Sequence, residues 1–145
     1  MKKYSKQREL ILDSLKNRTD HPTAETLYRD LKDKMPEIGI ATVYRNLSTL
    51  CEEGKINKLK SKIYGADRYD GNTMPHIHFE CEKCGEIEDL FLKKERINDI
   101  DNEIKELVKK SDAKFLTSEI FVTGICKNCS NKIILGGIFN ESICM

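Results

Sequence analysis

Residues 41–69 read ATVYRNLSTLCEEGKINKLKSKIYGADRY, and this stretch decides the fold. Val43, Leu47 and Leu50 recur at i, i+4 and i+7, the apolar stripe of an amphipathic helix over 41–53. Gly54 is placed to end it, because glycine enters the left-handed conformation past a helix terminus without a Cβ clash. Residues 55–60 then form a short basic strand, and 63–69 can return as its partner with Gly65 near the turn.

Upstream, Ile11, Leu12 and Leu15 give a helical stripe within 4–16. His21-Pro22-Thr23 breaks it, and Thr23 has the side chain of an N-cap. A second helix carries Ala24, Leu27, Tyr28 and Leu31 on one face, before Pro36 and Gly39 interrupt again. Three helices followed by a basic hairpin make a winged helix, with helices two and three as its helix-turn-helix. A small helical bundle with no DNA role fits the same pattern.

Downstream, residues 71–75 read as a hinge. Residues 76–81 and 86–92 suggest strands, and 95–110 a helix with Ile97, Ile100, Ile104, Leu107 and Val108 on one side. Residues 114–126 are rich in β-formers, including Phe115, Ile120, Phe121 and Val122. Residues 130–145 fit either a frayed tail or a short helix against a partner chain. The expected class is α+β: a winged helix-turn-helix domain over 1–70, the hinge, and an α/β dimerisation domain over 76–145.

The composition suits a folded protein. Of 145 residues, 39% are hydrophobic and 34% charged, which excludes both a disordered and a membranous chain. No apolar run has the length of a signal peptide's core or a membrane span, so the expected location is the cytoplasm. Net charge is +1, unevenly spread. Residues 1–66 hold 14 Lys+Arg against 9 Asp+Glu, and residues 67–145 hold 11 against 15. A basic half suits an anionic polymer and an acidic half suits cations.

Six cysteines in a cytoplasmic chain point to metal or redox chemistry before structural disulfides. Cys81-x-x-Cys84 and Cys126-x-x-Cys129 each offer two thiolates to one tetrahedral ion, together a closed structural zinc site. The competing reading is two redox pairs, which needs a βαβ context with an exposed cysteine at a helix start. A zinc-stapled interaction module is a third. Cys51 reads as a small core residue, and Cys144 has no assigned role.

Two of the three histidines form His76-x-His78, whose rings share one face of a strand and can reach one ion. Such a pair is often surface decoration. Asp70 and Asp89 can add oxygen ligands, though each alone is an ordinary solvated carboxylate, and His21 alone is a turn residue.

Taken together, His21-Pro22-Thr23-Ala24-Glu25, Ala41-Thr42-Val43-Tyr44-Arg45-Asn46-Leu47 and His76-x-His78-x-x-Cys81-x-x-Cys84-Gly85 resemble the ferric uptake regulator (Fur) superfamily, in order and at its spacing. The resemblance runs from about residue 4 to residue 130. It implies a homodimeric, metal-dependent repressor on palindromic double-stranded DNA operators, not an enzyme. It implies structural Zn²⁺ on Cys81, Cys84, Cys126 and Cys129. It also implies regulatory Fe²⁺ or Mn²⁺ on His21, Asp70, His76, His78 and Asp89.

The chain looks most like the peroxide-sensing PerR branch, because iron-sensing members usually carry Glu where Asp89 stands. It also lacks the extra histidines of other branches: none precedes His76, and Thr117 and Ser118 occupy the late strand. In that branch the oxidation-sensitive ligands match His21 and His76. One departure is the helix sequence Tyr44-Arg45-Asn46, closer to the iron branch. An iron- or zinc-uptake regulator is therefore the alternative within the superfamily, and a thiol oxidoreductase the alternative outside it. In the DNA-reading helix Tyr44 would touch thymine methyls and Arg45 guanine or phosphate. Arg8, Lys58, Lys60 and Lys62 would position the backbone.

Overall fold

The structure is a computed structural model; its described residues are 3–61 and 65–136, with side chains described over 6–61 and 65–131. The chain separates into two compact units, Met1–Thr73 and Met74–Met145.

The first unit holds α1 (Lys3–Lys16), α2 (Ala24–Leu31), α3 (Ile40–Glu52), β1 (Asn57–Lys60) and β2 (Asp67–Asp70). Thr23 caps α2, its hydroxyl oxygen accepting from the Thr26 amide at 3.2 Å. The end of α3 follows from Gly54, whose φ of +72° turns the chain out of the helix. The Lys55 amide then donates to the Leu50 carbonyl and the Gly54 amide to that of Cys51, the paired bonds that satisfy a helix C-terminus. β1 and β2 pair antiparallel, with Leu59 opposite Arg68 and Asn57 opposite Asp70. The core packs Ile11 and Leu15 of α1, Leu27 and Leu31 of α2 and Val43, Leu47 and Leu50 of α3 against Ile56 and Tyr69. Cys51 lies half-buried against this core, and burial pushes its thiol upward.

The second unit holds β3 (Ile77–Cys81), β4 (Ile87–Leu90), α4 (Lys94–Lys110), β5 (Phe121–Gly124) and α5 (Lys127–Gly136). The sheet order is β4-β3-β5, with β4 antiparallel and β5 parallel to β3, so α4 lies in the crossover. Of the β-rich stretch 114–126, only Phe121–Gly124 forms a strand, with one further bond from the His78 amide to the Ile120 carbonyl. The preceding residues are held by side chains instead: the Ser118 hydroxyl donates to Asp101 at 3.0 Å, and Lys105 lies over the Phe115 ring. On the apolar stripe of α4, Ile97 is buried, Ile100, Ile104 and Val108 are half-buried, and Leu107 is 63% exposed. The segment left open at the C-terminus begins as helix α5, and Cys144 lies outside the described residues.

Among the described residues, no helix is long and apolar enough to cross a membrane.

Candidate metal centre

The two cysteine pairs meet. Cys81 ends β3, and the chain turns at once, the Gly85 amide donating to the Cys81 carbonyl with Gly85 at φ +76°. That turn presents Cys84 beside Cys81. Cys126 precedes α5 and Cys129 stands in its first turn. Parallel pairing of β5 with β3 brings the second pair to the first. The four sulfur atoms lie within 4.8 Å of one another, with Cys81–Cys129 at 3.7 Å and Cys84–Cys126 at 3.8 Å. A tetrahedron of zinc–sulfur bonds about 2.3 Å long has edges of about 3.8 Å. The cluster therefore fits zinc.

Burial opposes ionisation of Cys81, but amide hydrogen bonds from Cys126, Cys84 and Lys83 outweigh it and bring its thiol down to about 7. Burial pushes Cys84 the other way, to about 11, against the Glu86 amide and reinforced by its sulfur neighbours. One sulfur of the cluster is thus ready to ionise at neutral pH. One pair does stand at a helix start. Even so, Cys81 and Cys126 are buried, whereas thiol exchange needs an accessible nucleophile.

The histidines and aspartates form one group in each unit. In the first unit, His21 lies between α1 and α2 at φ +49°, a left-handed conformation uncommon for any residue but glycine. Its Nε2 is 3.5 Å from Asp70 Oδ2 at the end of β2, and both side chains are buried. Two arginines hold this turn. Arg68 donates through Nε to the His21 carbonyl and through Nη2 to the Asp20 carbonyl at 2.9 Å. Arg18 grips the Asp20 carboxylate with Nε at 2.9 Å and Nη2 at 2.7 Å, and reaches Asp30 with Nη1 at 2.8 Å.

In the second unit, His76 and His78 bring their Nε2 atoms to 2.9 Å from each other. Asp89 of β4, opposite His78 in register, places Oδ1 at 2.9 Å from His76 Nε2 and 3.4 Å from His78 Nε2. His76 Nδ1 pairs with the Met74 carbonyl at 2.5 Å, which holds the proton on that side and leaves the Nε2 lone pair for a cation. Neighbouring ligands on an octahedral ion with bonds of about 2.1 Å stand about 3 Å apart, so this trio has the spacing of one coordination face. Phe121 stacks on the His78 ring and Phe91 tilts over His76, fixing both rings.

On α3, Tyr44 and Arg45 are exposed. The Tyr44 hydroxyl donates to the Glu25 carboxylate, and Arg45 reaches Thr42 Oγ1 at 3.3 Å. Lys58 and Lys60 are exposed on β1. Arg8 is partly committed within the unit, its Nε donating to Asn46 Oδ1 at 3.3 Å and its Nη1 lying 3.8 Å from Glu53. Lys62 lies outside the described residues. Glu25, Arg18 and Arg68 escaped the sequence reading; Glu25 and Arg68 act on partners 19 and 47 positions away, and the Arg18–Asp20 pair carries no motif. Arg68 alone left a trace, two residues before Asp70 and so on the same face of β2.

The ferric uptake regulator family model matches residues 2–123. The chain belongs to the ferric uptake regulator family. The peroxide-responsive repressor PerR of Staphylococcus epidermidis is 34% identical over 128 residues, covering 87% of this chain and 80% of that protein. The peroxide operon regulator of Bacillus subtilis is 35% identical over 129 residues, covering 87% and 83%. Among solved structures, the Campylobacter jejuni peroxide stress regulator aligns with a TM-score of 0.74 at 33% identity, over 88% of this chain and 91% of its own. The Helicobacter pylori ferric uptake regulator, described as having three functional metal binding sites, aligns at 0.70 and 30% identity, over 88% and 84%. The fold of this family member is therefore the α+β pairing of a winged helix with a smaller α/β domain.

Proposed function

We propose that this chain is a cytoplasmic, homodimeric repressor that binds palindromic operators when metal-loaded and releases them on reaction with peroxide. Residues 1–70 read DNA, 71–75 are the hinge, and 76–145 carry zinc and the dimer contact. The observation that carries the reading is the pair of half-sites, His21 with Asp70 in one unit and His76, His78 and Asp89 in the other. The chain from Asp70 to His76 spans at most about 20 Å when extended, so one ion can draw on both. Three nitrogens and two carboxylate oxygens suit Fe²⁺ or Mn²⁺ and would also accept zinc.

Zinc on Cys81, Cys84, Cys126 and Cys129 then has a structural part, tying β3 to the start of α5. A metal shared by the half-sites fixes the reader against the dimer domain, and so the spacing of two readers on adjacent major grooves. Metal and DNA affinities become linked through one coupling free energy, typically ~1–3 kcal/mol. Tyr44 and Arg45 meet base edges, while Arg8, Lys58, Lys60 and Lys62 meet the sugar–phosphate backbone. The exposed Phe91, Leu107, Leu116 and Val122 of the second unit suit a partner copy.

Fe²⁺, held by these residues, would supply the redox chemistry that splits the peroxide O–O bond. His21 and His76 are the rings we expect to be oxidised: per peroxide, one ring gives up two electrons and gains one oxygen atom, and the other oxygen leaves as water. An oxidised ring is a spoiled ligand, and the reader is released. The names of the Staphylococcus and Bacillus relatives support peroxide as the signal. So does Asp89, where a glutamate would mark an iron sensor.

The test compares operator binding with Fe²⁺, Mn²⁺ and Zn²⁺ before and after brief peroxide exposure, followed by peptide mass spectrometry. We expect loss of binding only in the iron form, with one oxygen gained on His21 or His76. Equal loss with Mn²⁺, or oxidation confined to cysteine, would return the protein to a plain iron- or zinc-uptake regulator.

A further inference from the structure

We propose that Arg68 is the positioning residue for His21, acting through the backbone of the turn that carries the ring. This rests on the reading that His21 ligates the regulatory ion. A metal ligand in a loop between two helices has no ladder of backbone bonds to fix it, yet coordination tolerates little misplacement. His21 also holds a backbone conformation, φ +49°, that a chain seldom keeps without outside support. Arg68 supplies that support with a planar fork. Its Nε–H donates to the His21 carbonyl and its Nη2–H to the Asp20 carbonyl, so two successive peptide groups are fixed by one rigid group. The next residues of each segment continue the clamp, the Tyr69 amide donating to the Pro22 carbonyl at 3.0 Å. On the same face of β2, two residues along, Asp70 places its carboxylate 3.5 Å from the His21 ring. One strand thus holds the backbone of His21 with Arg68 and faces its ring with Asp70. Arg18 secures the other side of the turn through the Asp20 side chain.

The experiment is calorimetric titration of Mn²⁺ into the full-length, zinc-loaded protein and four variants. These are Arg68→Ala, Arg68→Lys, His21→Ala and Arg68→Ala with His21→Ala. Zinc content and helicity are followed in each. Arg68→Ala should lower Mn²⁺ affinity by roughly 10–100-fold, the usual cost of losing a group that orients a ligand. Arg68→Lys, one point donor in place of a fork, should recover part of the loss. In the His21→Ala background, Arg68→Ala should change nothing further, because the ring it positions is gone. A merely structural arginine would weaken binding in both backgrounds alike, and that result overturns the proposal. So does parent-like affinity in Arg68→Ala. Should Arg68→Ala fail to fold, Arg68→Lys is tested in both backgrounds. A loss seen only with His21 present supports the proposal, and parent affinity overturns it. Parent affinity in His21→Ala would instead overturn the ligand reading beneath it.

Discussion

Replacing Cys81 by serine should unfold the second unit and leave the first standing. The two units differ in what holds them. Leu27, Leu47, Leu50 and their neighbours give the first unit an aliphatic core drawn from three helices and the hairpin. The buried cluster of the second is Cys81, Cys126 and Cys129, with Phe79, Cys84 and Ile125 packed against it. Among the described residues, its buried apolar side chains beyond the cysteines are Ile87 and Ile97. Burying each contributes about 1.5–3 kcal/mol, or about 3–6 kcal/mol together. A structural zinc contributes about 10–16 kcal/mol in small zinc-bound peptides at neutral pH. The ion outweighs these two side chains, and a serine hydroxyl, neutral at pH 7, does not replace a thiolate. Hydrogen exchange read by peptide fragments checks this, alongside zinc content and circular dichroism. In Cys81→Ser the amides of β3, β4 and α4 should lose protection, and the helical signal should fall by the share of α4 and α5, 17 and 10 residues. The amides of α2 and α3 should stay protected. Cys51→Ser, altering a thiol packed in the other core, should leave zinc and helicity at the parent level. A zinc-free Cys81→Ser protein with a protected second unit would refute the reasoning.

Gly71→Ala should destabilise the first unit by about 1–3 kcal/mol in denaturant unfolding, since a Cβ there would stand 2.5 Å from the Leu15 carbonyl oxygen. Hydrogen bonding from Arg18 holds the Asp20 carboxyl below the usual range, so the pair's contribution is full above the ordinary carboxylate value and fades as pH falls through the lowered one. The group is largely exposed and the contribution therefore small; Asp20→Asn should flatten that acid limb of the stability curve. Asp89→Glu should keep iron binding but answer peroxide more slowly, read by the rate of operator release. Arg45→Ala should relax base preference, whereas Lys60→Ala should weaken all duplexes alike and lower the salt slope by about one; unchanged operator binding in Arg45→Ala would remove α3 as the reader.

The helices were legible because their signal is local. A stripe such as Val43, Leu47 and Leu50 states its own period, and Gly54 states where it stops. The strands were legible where a turn ties neighbours together, as Gly85 ties β3 to β4. The length of the strand within 114–126 was not legible, because β-propensity says only that a chain can extend. How far it pairs depends on β3, about forty residues away and five long. The open face of α4 was equally illegible, since periodicity marks an apolar side without saying whether the same chain covers it.

The site divides along the same line. Cys-x-x-Cys is a local motif, so the spacing alone sets two sulfurs side by side, and the 3.7–3.8 Å separations across the pairs add only the meeting of β3 and β5. His76 and His78 share a strand face by alternation, which is why their Nε2 atoms converge. His21 is different. It sits in a turn between two helices, at a φ of +49° that non-glycine residues seldom adopt. What keeps it there is Arg68, 47 positions later, and an arginine's reach for a distant carbonyl leaves no period, spacing or composition to read. A ligand held from a distance by another element also moves when that element moves. If His21 ligates the regulatory ion as proposed, strain in the β1–β2 hairpin reaches the metal site through this turn.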